Sequence, residues 1–412
     1  MNKLSLNSID QSCFRVAASE TADKSKARAD IVSEGRLLFF EHSRKGTQML
    51  RNASHGESVG SAKLSDTEYS ALNKTFQAEH LLYAAKKACD VTDETAPESY
   101  EDFKRMSAQF YNNRNFLAVL QGIYQEIVYP ILPAVYSEAV DRFADVVEVG
   151  FGETYAISVG SDDIVLFQDS AWGASRSVPA NRFYSKDITL NPQPKTAEIR
   201  MKWHQLVGNN MDFGRFFANL AAGMYSKTMA MWNAELTAAA SGTTYIPSGL
   251  TGTFSNANWV NIANKLAAVN STSVSNLFAT GSMVALSKVL PTQVTGSTNV
   301  NMDAAIATLL GADYTRTGYL GEFMAVRLMP LMDAIVPGTQ YNTVSTILSP
   351  NDIWMMAGNG RKPLTLAYNS ATPISIEIEP ERTASFELIM NLTIALDSAA
   401  VFASKVAHIT VS

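Results

Sequence analysis

Cysteine is almost missing from this 412-residue chain: Cys13 and Cys89 are the only two. Two isolated thiols make neither a disulfide framework nor a metal cluster, and both are expected unpaired and reduced. Charge is scarce too, at 17% Asp, Glu, Lys and Arg. Much of the surface must then be Ala, Ser, Thr and Asn, which suits a subunit that buries itself against neighbours, although an ordinary low-charge soluble protein has the same composition. A basic surplus is absent: 33 Lys and Arg stand against 39 Asp and Glu, a formal charge of −6. That excludes nucleic-acid binding through a broad basic face and leaves only weak, local contact. No apolar run reaches the roughly eighteen residues that span a bilayer, and residues 1–11 lack the apolar segment of a signal peptide. We expect no membrane association and a chain folded in a cytoplasm.

Catalytic constellations are absent as well. There is no Gly-x-Ser-x-Gly elbow, phosphate loop, His-Glu-x-x-His or Cys-x-x-Cys. Gly150-Phe151-Gly152 is half of a dinucleotide fingerprint, but the third glycine is missing and strand residues follow. The five histidines, His42, His55, His80, His204 and His408, share no ligand spacing and read as surface or satisfied interior residues. Asp162-Asp163 falls in a hairpin turn, where a solvated pair is the simpler reading than a general acid and base. The triplets at Asn73, Asn270 and Asn391 mean little without secretion. We expect no enzyme, no cofactor and no metal.

What is present is shape. Residues 155–236 hold an extended excursion, one arm out and one arm back, running into a proline-free helix at about 212–239, roughly seven turns long. Phe213, Phe216, Phe217, Leu220, Met224 and Met231 lie on one broad face of that helix. Of these, Phe213, Phe217, Leu220 and Met224 are expected to be the helix's own core. Gly214, Ala218, Ala221, Ala222 and Gly223 would let it sit between two layers. From Val146 the period becomes that of strands, alternating at Val147, Val149 and Phe151, then at Tyr155, Ile157 and Val159, then with Ile164, Leu166 and Phe167. Its tip, 170–180, is rich in Ser, Ala and Gly around Trp172.

Before it, residues 1–63 read as an arm, with a short solvated helix at 21–33 and an apolar cluster at 36–40 that is a strand or an anchor but too short for a core. Ser65 and Glu68 form a capping box opening a helix over 64–88. A second helix runs over 100–128 and stops before Pro130. A short amphipathic piece follows at 133–140. After the long helix come a loop at 240–256, helices at 256–269, 282–290 and 302–310, and strands at 277–280, 323–328, 346–348 and 353–357. Strand-like segments at 372–380, 386–397 and 401–411 close the chain. No internal repeat occurs, and the class is α+β.

This order of parts resembles the major capsid proteins of tailed double-stranded-DNA bacteriophages, with the Hong Kong 97-type fold. Residues 195–206 look like the returning hairpin strand, and Met211-Asp212-Phe213-Gly214 looks like the start of the spine helix. Phe278-Ala279-Thr280-Gly281-Ser282, residues 318–330 and residues 347–354 look like units of the axial domain. The resemblance covers about 145–412 and implies a domain plan. An N-terminal arm (1–63) and helical region (64–145) come first, then an extended hairpin, the E-loop, with peripheral strands (146–206). A spine helix (207–244), an axial domain (245–360) and returning C-terminal strands (361–412) complete it. In such proteins a longer N-terminal segment is either a scaffolding domain removed by a protease or an arm kept in the mature shell; the Met1 start points to retention.

The function implied is self-assembly into hexamers and pentamers of an icosahedral shell around phage DNA, in a virion assembled in the bacterial cytoplasm. The partners implied are copies of itself, a portal, scaffolding or decoration proteins, and packaged double-stranded DNA held by weak non-specific contact. Contacts between copies are expected at Trp172, Arg176, Arg182 and Phe183 of the hairpin and at Leu37, Phe39 and Phe40 of the arm. The alternatives are an encapsulin-like nanocompartment, another virion component, or an enzyme of unrecognised family.

Overall fold

The computed structural model describes residues 22–42, 64–92, 95–129, 144–150, 152–160, 185–241, 246–290, 318–331, 333–338, 343–358, 362–369, 375–381, 386–400 and 406–411. The expectations for 133–140, the hairpin tip and 302–310 fall outside them.

Among the described residues, four helices come first in the chain. They are α1 (Ala22–His42), α2 (Asp66–Thr92), α3 (Tyr100–Phe110) and α4 (Arg114–Val128). The Ser65 and Glu68 box forms: the Ser65 N–H donates to Glu68 Oε2 at 2.8 Å, and the Glu68 N–H to Ser65 Oγ at 3.3 Å. Ser99 and Asp102 repeat the device at the start of α3, a signal the acidic character of the preceding segment concealed. The single helix expected over 100–128 is two. Asn113 accepts from the N–H groups of Asn115 and Phe116 at 3.0 and 3.2 Å and restarts the helix, as a favoured N-cap residue can. The break turns Tyr111 inward, its hydroxyl 3.0 and 2.8 Å from the carbonyls of Glu381 and Glu387.

Residues 36–40 are neither a strand nor too short for a core. They belong to the last turns of α1, where Ile31, Val32, Leu38 and Phe39 are all buried. Gly35 permits the contact, since a Cβ there would overlap Ile127.

Two short connections lead to the long helix: α5 (Trp203–Val207) and a turn, then α6 (Phe213–Ser241). At 29 residues α6 is about 43 Å long. Its first turns enter an aromatic cluster, with Phe213 5.2 Å from Phe76, 5.0 Å from His80 and 5.9 Å from Tyr124 between ring centroids. Phe213, Phe217, Leu220 and Met224 are all buried. The small residues divide: Gly214 and Ala221 are buried, while Ala222 and Gly223 face outward. At Gly214 a Cβ would lie 2.9 Å from the Leu38 carbonyl oxygen, so this glycine is what lets α1 cross the root of α6.

Two sheets complete the α+β body. The first joins β1 (Ala144–Val149), β4 (Gln193–Lys202), β10 (Leu364–Asn369), β11 (Ser375–Pro380) and β12 (Glu387–Ala400). Fourteen-residue β12 is its axis, pairing β4 on one edge and β10 and β11 on the other. Its side chains alternate, with Leu388, Met390, Leu392, Ile394 and Leu396 buried. The second sheet has the order β5 (Thr251–Thr253), β13 (Val406–Thr410), β9 (Asp352–Ala357), β6 (Leu277–Gly281), β8 (Val326–Pro330), β7 (Glu322–Phe323). Helix α7 (Asn256–Val269) supplies Trp259, Ile262 and Leu266 to its core, and the short α8 (Met283–Ser287) follows β6.

Three sequence expectations are corrected here. Residues 195–202 are not the returning hairpin strand but an edge of the first sheet, because β4 pairs with β12 over its whole length. Residues 323–328 are not one strand: Met324 and Ala325, at φ 48° and 64°, turn the chain between β7 and β8. Finally, β10 carried no strand assignment, although five of its six residues are buried.

Candidate assembly surfaces

Strands β2 (Tyr155–Gly160) and β3 (Ser185–Leu190) pair only with each other, antiparallel from Tyr155↔Leu190 to Gly160↔Ser185. This is the arm out and the arm back. The hairpin is almost bare: Tyr155, Ala156, Ser158, Asp187 and Thr189 are exposed. Among the described residues it meets the body at its stem. There Leu190, Val149 and Ala367 form a separate small core, with Val147, Ile157 and Ala399 against it. The Asn191 N–H donates to Asp397 Oδ2 at 2.7 Å and holds the returning chain to β12. Trp172, Arg176, Arg182 and Phe183 lie outside the described residues.

The root of α6 is held from several directions. Asp212 Oδ1 accepts from the Arg215 N–H at 3.0 Å and from the Tyr69 hydroxyl at 2.6 Å. Asn73 donates to the Met211 carbonyl at 2.9 Å and accepts from the Phe213 N–H at 3.1 Å. Burial and the Asp212 carboxylate together raise the Tyr69 phenol well above its ordinary value, so it stays a donor. Tyr100 braces the turn before the helix, its hydroxyl 2.9 Å from the Val207 carbonyl and 2.8 Å from Asn209 Oδ1. His80 is wholly buried, its ring nitrogens 2.6 Å from the Phe76 carbonyl and 3.2 Å from the Tyr124 hydroxyl. Burial depresses it to about 4. It is a neutral structural residue.

The arm residues expected at contacts separate. Phe39 is 4% exposed and belongs to the subunit's own core, so its assignment as a contact residue is withdrawn. Leu37 and Phe40, at 42% and 36%, lie on the outward side of α1.

A further apolar group escaped the sequence reading. Met283 and Val284 on α8, and Ile335 and Val344 in the segment after β8, are exposed. Parallel pairing of β6 with β8, and the Leu331 N–H bonded to the Gly281 carbonyl at 3.0 Å, bring both segments to one end of the six-stranded sheet. The signal was available: in a five-residue helix that buries Ala285 and Leu286, Met283 and Val284 must point elsewhere. The open face of the five-stranded sheet is acidic, with Glu198, Glu377 and Glu379 exposed and Arg200 bonded to Glu198 and Glu381.

Among the described residues no three His, Cys, Asp or Glu side chains gather as a metal would require, and no helix is long and apolar enough to cross a membrane. His408 and Asp352, 2.9 Å apart, lie across β13 and β9 with His408 stacked on Trp354. That pair ties two strands together.

No protein-family model matches the sequence, and no curated protein matches it. Among solved structures, the chain is similar to the capsid of the cyanophage P-SCSP1u, with TM-score 0.38 and 9% identity over 66% of this chain and 87% of that one. It is similar to the mature capsid of bacteriophage PhiM1, with TM-score 0.38 and 11% identity over 65% and 85%. It is also similar to a virus-like particle from Pyrococcus furiosus, with TM-score 0.38 and 9% identity over 70% and 99%. The first two are phage capsids and the third is a virus-like particle. At about a tenth identity, individual residue roles have to be argued from this chain itself.

Proposed function

We propose that this chain is a shell-forming subunit, the major capsid protein of a tailed bacteriophage, assembling as hexamers and pentamers into an icosahedral shell around double-stranded DNA. The observation that carries the reading is the bare β2–β3 hairpin, joined through β4 and α5 to the clamped root of the long helix. A two-stranded hairpin alone is marginally stable in water, so one that pairs with neither sheet and meets the body at its stem calls for a partner surface. A second copy supplies one. Residues 170–184, the later part of the segment between β2 and β3, carry Arg176 and Arg182 beside Trp172 and Phe183 with no Asp or Glu, and they match in charge the acidic face around Glu377 and Glu379 on a neighbour.

In this reading the exposed end of the six-stranded sheet meets its own copies around a symmetry axis, and Leu37 and Phe40 of α1 face another neighbour. Each contact is modest. Many together hold a shell by multivalency, and closed symmetry limits its growth. Net negative charge keeps attraction to the packaged DNA weak. Portal, scaffolding and decoration proteins belong to the same proposal as further partners.

Negative-stain microscopy of the purified full-length chain tests it. Isometric shells or ring-shaped capsomers support the reading, and a chain that remains monomeric at high concentration contradicts it. Particles recovered with enclosed enzyme in place of DNA would make the subunit a nanocompartment shell.

A further inference from the structure

A cavity lies where α6 meets both sheets. Trp232 and Leu236 of α6, Thr280 of β6, Trp354 and Met356 of β9 and Leu364 of β10 contribute to its wall, and its volume is about 20 Å³. A water needs roughly 10–15 Å³ measured in this way. Trp232 is 3% exposed and Thr280 0%, yet neither Trp232 Nε1 nor Thr280 Oγ1 has a hydrogen-bond partner among the described residues. Buried polar groups left unpaired are costly, and the two residues that carry these groups line one cavity large enough for a single water.

Their chemistries fit the same molecule. An indole N–H only donates, whereas a hydroxyl both donates and accepts. A water that accepts from Trp232 and donates to Thr280 satisfies both. We propose that this cavity is a structural water site linking the long helix to the six-stranded sheet. Close by, Asn233 of the same helix donates directly to the Ile347 carbonyl at 3.2 Å, so the water would add a further polar tie between α6 and this part of the molecule. The inference does not depend on shell formation.

Two measurements test it on the full-length chain. A high-resolution density map should show an ordered water within about 3.2 Å of both atoms; an empty cavity overturns the proposal. Thr280→Val keeps the side chain's shape and removes its hydroxyl, so it should lower the folded-to-unfolded ratio about five-fold in urea titration. In a dry cavity the hydroxyl is an unpaired burden, and Thr280→Val would leave the ratio unchanged or raise it, which also overturns the proposal. Trp232→Phe should cost less in the Thr280→Val background than in the natural chain, because the two groups share one water. Equal costs in both backgrounds contradict the sharing.

Discussion

The root of the long helix and the β2–β3 hairpin are near neighbours in sequence and opposites in construction. Around the root, three helices contribute Phe, Tyr and His rings in mutual contact, and side chains from α2 brace the helix end. The hairpin has ladder bonds and a three-residue core at its stem. Each fully buried Phe contributes about 1.5–3 kcal/mol by area alone, so stability concentrates at the root, while the arm depends on what it touches. On the proposed reading the difference assigns tasks: the root keeps the subunit in one shape, and the arm is shaped by a neighbour.

The contrast can be broken at its strong end first. Phe217→Ala should cost about 3–5 kcal/mol, as truncating a buried ring does, read from a denaturant midpoint; a loss under ~1 kcal/mol would put the root on a par with the surface. Next in size is the effect of acid on His80. Its folded value is about 4 against an ordinary value of about 6.5 in the unfolded chain. The stability it supports is complete above about 6.5. Below that the unfolded state takes up a proton that the native state refuses, and about 1.4 kcal/mol is lost per pH unit until about pH 4. A buried His80→Phe variant should show a shallower acid slope across that window, and an unchanged slope would locate the acid sensitivity elsewhere.

Smaller effects sharpen the other end. Leu190→Ala should loosen the stem by about 2 kcal/mol, the low end for buried leucines. Amide exchange should quicken in β2 and β3 while the amides of α6 keep their protection; global unfolding would show that the stem supports the body. Charge reversal at Glu377 and Glu379 to Lys should leave subunit stability within about 0.5 kcal/mol and reduce particle yield. Reversal of Arg176 and Arg182 to Glu in the same chain should recover part of that yield; no recovery would detach the hairpin from that face.

Much of this was legible in the sequence where one local signal ruled. The Ser65 and Glu68 box, the boundaries of α7 at 256–269 and the long helix all follow from capping and periodicity. The misreadings came where tertiary contacts decide. Asn112-Asn113 can sit in a helix or restart one, and the docking of Tyr111 on the five-stranded sheet selects the restart. Met324-Ala325 turns a two-residue hairpin without the Asn-Gly that normally announces it. Strand β10 mixes Thr365 and Ala367 into an apolar pattern because the hairpin stem covers its second face. At the surfaces, the sequence shows a cluster at 36–40 without saying which ring faces inward. Only the helical phase of α1 separates buried Phe39 from exposed Leu37 and Phe40.

The claim that the hairpin serves assembly and the root serves folding meets its most direct test in deletion of residues 172–180. The account predicts a subunit with an unchanged denaturant midpoint that no longer yields closed shells under the microscope. Shells of normal number and stability from the deleted chain would contradict it.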